Sequence, residues 1–219
     1  MNRSLHAATV VLVASLGLFG CKSSDKGEAT GASITKAADQ IEKGIQELDT
    51  TVASLHALVD QPAADLNPQR KTFEKSLSAL EGTAADVSET ATAMRERGQA
   101  YFAQWDQQLA SIQNEDIRER STERRTAIEA SLNKLQGDYT EAKTAFEPLL
   151  ATLRDIRTAL KADLTMNGIK ALTPTVKEVD KEAGSVSKEL RDLAQRFREL
   201  GVDLSRNNPT AVPVETEKK

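Results

Sequence analysis

The sequence predicts an all-α protein: an antiparallel coiled-coil four-helix bundle whose two long central helices form a protruding hairpin. Three observations carry this. Apolar residues recur at alternating spacings of four and three in four separate runs, which is the heptad seam of helices that pack knobs into holes. Pro, Gly and Asn fall between the runs, where helices start and stop. Aromatic residues make up only 4% of the chain, as suits narrow seams filled by Ala, Val, Leu and Ile.

The first helix is read from Ile34, Ala38, Ile41, Ile45, Leu48, Val52, Leu55 and Val59, and it ends before Pro62. The second follows Phe73, Leu77, Leu80, Ala84, Val87, Ala91, Met94, Gly98, Tyr101 and Trp105, with Asn67-Pro68 as cap and first helical residue. The third follows Ile128, Leu132, Leu135, Tyr139, Ala142, Phe146, Leu149, Leu153, Ile156 and Leu160, with a kink expected at Pro148. Asn167-Gly168 marks its end. The fourth follows Leu172, Val176, Val179, Ala183, Val186, Leu190, Leu193, Phe197 and Leu200. Thr173-Pro174 reads as its start, and Gly201 as a left-handed C-terminal cap.

Gln113 to Ala127 contains a single large apolar residue, Ile117, and neither Gly nor Pro, and the heptad phase is lost across it. The sequence favours a turn at Gln113–Asn114 over one continuous helix. Asn114 can cap, and Glu115 and Asp116 suit the positive end of a helix. Short connections make neighbouring helices antiparallel. The middle helices then span roughly 45–50 residues, about 70 Å, and the outer ones roughly 27–30 residues, about 40 Å. A two-helix tip should leave a four-helix base near Gly98.

The N-terminus carries a different signal. Arg3, the apolar run Ala7 to Phe19 and the ending Leu18-Phe19-Gly20-Cys21 have the form of a bacterial lipoprotein signal. The apolar run is shorter than the roughly 20 residues a membrane span needs. Cys21 is the only cysteine, so its thiolate is the expected lipidation site, and no disulfide or thiolate metal site can form. Residues 1–20 are read as signal peptide, 21–33 as a flexible linker, 34–204 as the helical domain and 205–219 as a disordered tail. Linker and tail are expected to emerge at the waist, near the level of Gly98. Lys22 stands where an aspartate would hold a lipoprotein in the inner membrane, so an outer-membrane anchor facing the periplasm is expected.

The formal charge of −4 becomes one unit more negative when Arg3 leaves with the signal. That mild acidity argues against a nucleic-acid partner. There are two histidines, one of them in the signal. His56 reads as a partly exposed helix residue and cannot build a metal site alone. No phosphate loop, nucleophile or metal-ligand spacing is present, so neither enzyme chemistry nor a cofactor is expected.

One segment stands out. Tyr101-Phe102-Ala103-Gln104-Trp105 contains the only tryptophan and falls where the tip should leave the base. Tyr101 and Trp105 belong to the seam and Phe102 lies beside it. Filling a two-walled seam is one role for such rings; docking a partner is another, since Tyr, Trp and Arg favour binding hot spots. Beyond it, Arg118, Arg120, Arg124 and Arg125 alternate with Glu115, Asp116, Glu119 and Glu123, a pattern of mutual pairing on a solvated helix. Tyr101, Phe102, Trp105 and Arg118 are the candidate partner-binding residues.

The segment Tyr101 to Trp105, with Leu109-Ala110-Ser111-Ile112 to Ile117-Arg118 and Leu153-Arg154-Asp155-Ile156 to Leu164-Thr165, resembles a bacterial lipoprotein family defined by a domain of unknown function, number 2959. The similarity covers most of the mature chain. It implies a helical envelope lipoprotein and brings no activity, ligand or catalytic residue with it.

The expected function is that of a non-enzymatic cell-envelope lipoprotein. Anchored in the membrane through Cys21, it would act as a coiled-coil spacer or adaptor whose tip binds an envelope protein. Two rivals stand beside it: a membrane-active protein whose amphipathic helices insert into lipid, and a structural lipoprotein that self-associates through the seam beyond Tyr101. Whether the tip points toward the membrane or away from it stays open at this level.

Overall fold

The computed structural model describes residues 22–205, and all four elements in it are helices: α1 (Lys22–Asp60), α2 (Asn67–Ser111), α3 (Glu115–Ala162) and α4 (Met166–Ser205). The signal, Cys21 and the C-terminal tail lie outside the described residues. The architecture is an all-α helical bundle, and among the described residues no strand occurs.

Each helix buries its predicted seam. Ile34, Ala38, Ile41, Ile45, Leu48 and Leu55 of α1 are buried, as are Phe73, Leu77, Leu80 and Met94 of α2, Leu135, Ala142, Leu149, Leu153, Ile156 and Leu160 of α3, and Val176, Val179, Ala183, Val186, Leu193 and Phe197 of α4. They form two stacked clusters. One, around Phe73, Leu153 and Ile169, fills the end with the α1–α2 and α3–α4 connections. The other, around Ile41, Leu135 and Phe197, continues toward the opposite end.

α1 packs against α2 and α4, and α3 against the same two. Paired residues advance along one helix as they retreat along the next. Ser54 meets Ser76 and Ser33 meets Arg97. His56 meets Asp180 and Arg198 meets Glu42 and Asp39. Glu81 meets Arg154 and Arg157, and Asp106 meets Arg125.

The turn between α2 and α3 falls where the sequence places it. The Asn114 side chain accepts from the Ile117 N–H at 3.0 Å, and Glu115 and Asp116 occupy the first turn of α3. At the other end of the bundle, Asp65 Oδ1 accepts from the Asn67 N–H at 3.0 Å. It thus supports the start of α2 one residue outside the cap Leu66. α3 runs through Pro148 without a break.

Four sequence expectations are corrected. First, α1 begins at Lys22 and not at Ile34, so the stretch read as a flexible linker is helical over its described length. The later part of that stretch packs closely on α4: a Cβ on Gly201 would lie 2.9 Å from the Gly31 carbonyl and 2.5 Å from Thr35 Oγ1. Thr30 is buried as well. Second, Gly201 is therefore a helical contact point between α1 and α4, not a left-handed cap.

Third, α4 begins at Met166, with Pro174 inside it. Thr165 is the starting signal, because its Oγ1 accepts from the Gly168 N–H at 3.1 Å and its carbonyl from the Ile169 N–H at 2.9 Å. Gly168 belongs to that first turn, where a Cβ would meet the Asp163 carbonyl at 2.6 Å. Fourth, the outer helices have 39 and 40 residues, closer to the 45 and 48 of the central pair than expected.

The exit of α1 moves as a result. Ser33 lies at the level of Arg97, 2.7 Å from its Nη1. From there α1 continues to Lys22, about 16 Å further at 1.5 Å per residue. α2 continues from Arg97 to Ser111, about 21 Å by the same rise. The N-terminal end of α1 thus projects well beyond the waist near Gly98, toward the α2–α3 turn.

Candidate functional site

The last turns of α2 and the first turns of α3 carry the aromatic and arginine residues singled out above. Helical spacing places Tyr101 and Trp105 on one face of α2, with ring centroids 5.4 Å apart in an edge-on arrangement. The Trp105 indole N–H donates to Ser121 Oγ across the interface at 3.1 Å. Burial pushes the Tyr101 phenol above its ordinary value, against a smaller opposing influence from Arg124.

Phe102 lies about 100° round α2 from Tyr101, with its ring centroid 5.6 Å from the Tyr101 ring, and is the most deeply buried of the three rings, at 8% exposure. The Arg125 guanidinium lies over it, 5.1 Å from the ring centroid. The same guanidinium is held at both ends: Nε is 2.6 Å from Asp106 Oδ1, and Nη1 is 2.6 Å from Glu129 Oε2. These two carboxylates hold the Arg125 guanidinium in its charged form more firmly still. Phe102, Asp106, Arg125 and Glu129 are therefore one locked unit bridging α2 and α3.

Arg118, a candidate partner-binding residue, also makes contacts within the turn. Its Nη1 donates to the Ile112 carbonyl at 3.2 Å, closing the C-terminal end of α2, and its second nitrogen lies 4.0 Å from Glu115. It holds the turn together, though part of it stays exposed. Asp106, Ser121, Arg125 and Glu129 are the partners that the seam pattern missed. Asp106 and Glu129 were legible only as spacings of four, from Phe102 and Arg125. That Arg125 covers the aromatic segment depends on the rotation of α3 against α2, which no spacing encodes.

Beside the locked unit, α2 and α3 leave an open groove of about 410 Å³, lined by Met94, Gly98, Phe102, Arg125, Leu132 and Tyr139 among others. Gly98 lines it, and a Cβ there would make ordinary contact with Leu132 at 3.9 Å. Tyr139 also borders a second recess of about 320 Å³, lined by Val87 of α2 and Phe146 of α3 and reaching Ile41 of α1 and Leu193 of α4. The two recesses form an apolar channel along the α2–α3 interface, rimmed by Arg95, Asp106, Glu129, Lys143 and Glu147. Such a channel can take apolar side chains of a docked segment while its rim pairs with charges.

Among the described residues no three His, Cys, Asp or Glu side chains come together in a way that could hold a metal ion. No described helix is long and apolar enough to cross a membrane. His56 sits far from the channel, between Asp60 and Asp180 at 2.8 and 3.2 Å, and ties α1 to α4.

Helices, two stacked apolar clusters and a groove without clustered ligands define the class of this molecule: a helical-bundle protein whose distinguishing surface is an interhelical channel. The chain belongs to the family described as a protein of unknown function, DUF2959, whose model matches residues 23–199. No curated protein and no solved structure matches it.

Proposed function

We propose that this chain is a non-enzymatic, lipid-anchored protein of the bacterial cell envelope that acts as a helical spacer and adaptor. Cys21 carries the lipid, at the outer membrane facing the periplasm, and an envelope protein docks along the α2–α3 channel near the turn end. The observation that carries the reading is the Phe102–Arg125 unit with the groove beside it. A guanidinium stacked on a ring and pinned by two carboxylates is a preorganised surface, and preorganisation lowers the cost of binding. The length of the central helices, about 70 Å, suits a spacer. The lipobox, with its single cysteine, supports the anchor.

The test is site-specific photocrosslinking in cells from Gln99 or Ala103, both exposed on the rim of the groove. A discrete adduct with one envelope protein is expected, reduced when Phe102→Ala and Arg125→Ala are combined. A probe that yields only lipid or no adduct sinks the adaptor reading. Fractionation of a Cys21→Ser chain tests the anchor separately: release from the membrane is expected, and unchanged membrane association refutes lipidation.

A further inference from the structure

The α2–α3 turn presents a second face, distinct from the channel. Ile117 is 57% exposed, the highest value among the large apolar side chains described. Helical periodicity puts Ile117, Arg120, Ser121, Arg124 and Ile128 on one face of α3, and Asp116, Glu119 and Glu123 on a stripe turned about 100° away. Trp105 docks on that first face through Ser121. Among the described residues Arg120 and Arg124 have no ion pair, whereas Arg118 and Arg125 do. Every basic residue between Lys75 and Lys134 is arginine, the side chain whose planar fork matches phosphate oxygens.

The same end of the bundle receives the start of α1. Lys22 is the first residue of that helix and directly follows Cys21 in the chain. With Ser33 fixed beside Arg97, the helical rise brings Lys22 to within about 5 Å of the axial level of Ser111. An acylated Cys21 would therefore enter the bilayer beside the turn, with a helix between it and the bundle.

We propose that the α2–α3 turn end rests on the phospholipid surface in which the chain is anchored, with Ile117 entering the interfacial layer and Arg120 and Arg124 facing lipid phosphates. This rests on the lipid-anchor reading of Cys21. It orients the molecule: the α1–α2 and α3–α4 connections point away from that membrane, and the Phe102 groove lies just above the headgroups. Trp105, nearer the turn than Phe102, then sits at headgroup level, where amphipathic rings settle.

Trp105 is the only tryptophan, so it reports its own position. The lipidated full-length chain, purified from bacterial membranes, is reconstituted into phosphatidylethanolamine–phosphatidylglycerol vesicles containing a headgroup-labelled spin quencher. A second full-length chain, Trp105→Phe with Ala64→Trp, places the reporter in the α1–α2 connection. The quencher should remove most of the Trp105 emission and leave the reporter at position 64 nearly unaffected. Combined Ile117→Asp, Arg120→Glu and Arg124→Glu substitutions should reduce Trp105 quenching several-fold without releasing the chain from vesicles. Equal quenching at both positions, stronger quenching at position 64, or quenching unchanged by the triple substitution overturns the proposal. A chain that fails to float with the vesicles overturns it by removing the anchor itself, an outcome distinguishable from reversed orientation by flotation alone.

Discussion

Gly201 of α4 lies so close to Thr35 of α1 that a Cβ placed on the glycine would stand 2.5 Å from the threonine Oγ1. The threonine cannot easily move aside, because its hydroxyl also donates to the Gly31 carbonyl at 3.1 Å, and that carbonyl would be 2.9 Å from the same Cβ. Alanine normally improves a helix over glycine by about 1 kcal/mol. Here the sign should reverse: Gly201→Ala is expected to cost about 1–3 kcal/mol through overpacking. Gly137 and Gly184 are also helical but face open space, so Gly137→Ala and Gly184→Ala should each stabilise by about 0.5–1 kcal/mol. Urea unfolding midpoints of the three variants check this, and a Gly201→Ala chain as stable as the other two contradicts the contact.

That glycine also illustrates what could be read from the sequence. The heptad seams identify which residues of each helix are buried, because periodicity is a property of the residues alone. Asn114 was legible for the same reason: a cap is local chemistry. Gly201 and Gly168 were misread because each has the composition of a helix terminus while its role is set by a neighbour, and Thr173-Pro174 has the composition of a helix start but falls inside α4. Gly201 is small for the sake of α1, and Gly168 for the sake of the Asp163 carbonyl. The start of α1 was missed because Gly31, Ala32 and Ser33 carry no apolar period; Gly31 lies against α4 and Ser33 bonds to Arg97 of α2. Within the candidate site, the aromatic segment was legible by composition, but the placing of Arg125 over Phe102 arises from helix rotation.

Arg125 links α2 and α3 by three contacts, to Phe102, Asp106 and Glu129. Removing it should separate the turn end before it affects the rest of the bundle. Arg125→Ala is expected to cost about 1 kcal/mol, since a cation–π contact contributes about 0.5–1 and exposed ion pairs less than that each. For a chain of this size that corresponds to about 2–4 °C in Tm. A double-mutant cycle with Phe102→Leu should show coupling of about 0.5–1 kcal/mol. Zero coupling means that the guanidinium and the ring do not interact.

Glu81 of α2 receives Arg157 through both carboxylate oxygens, at 2.9 and 3.2 Å, and Arg154 at 2.7 Å. The hydrogen bonds from Arg157, then those from Arg154, hold its carboxyl below the ordinary value of 4.5 against the opposing effect of burial. A carboxylate with a lowered folded pKa stabilises the fold above its unfolded pKa and loses that contribution as pH falls through the folded value. Glu81→Gln should therefore cost about 1 kcal/mol at neutral pH, discounted for the exposure of Arg154. The deficit should shrink as pH drops below 4.5. Thermal unfolding of both chains between neutral and acidic pH provides the check; a gap that widens toward acid would be inconsistent with the ion pair.

His56 of α1 stands between Asp60 on its own helix and Asp180 on α4, at 2.8 and 3.2 Å. The Asp60 hydrogen bond raises its pKa above 6.5, burial opposes this, and Asp180 adds to the rise. A base with a raised folded pKa contributes stability that is fully present below the unfolded pKa and is lost as pH rises through the folded one. The α1–α4 contact should accordingly be strongest in mildly acidic solution and weaken from pH 6.5 upward. His56→Gln removes the titrating group, and the only other histidine in the sequence is His6. In the chain lacking residues 1–20, the difference in melting temperature between the parent and His56→Gln should be largest below pH 6.5 and should close as the imidazole deprotonates. Asp180→Asn should remove part of that difference and Asp60→Asn the larger part, in keeping with the order of their effects on His56. A parent–variant difference constant with pH would show that His56 contributes packing alone, with its charge playing no part in joining the two helices.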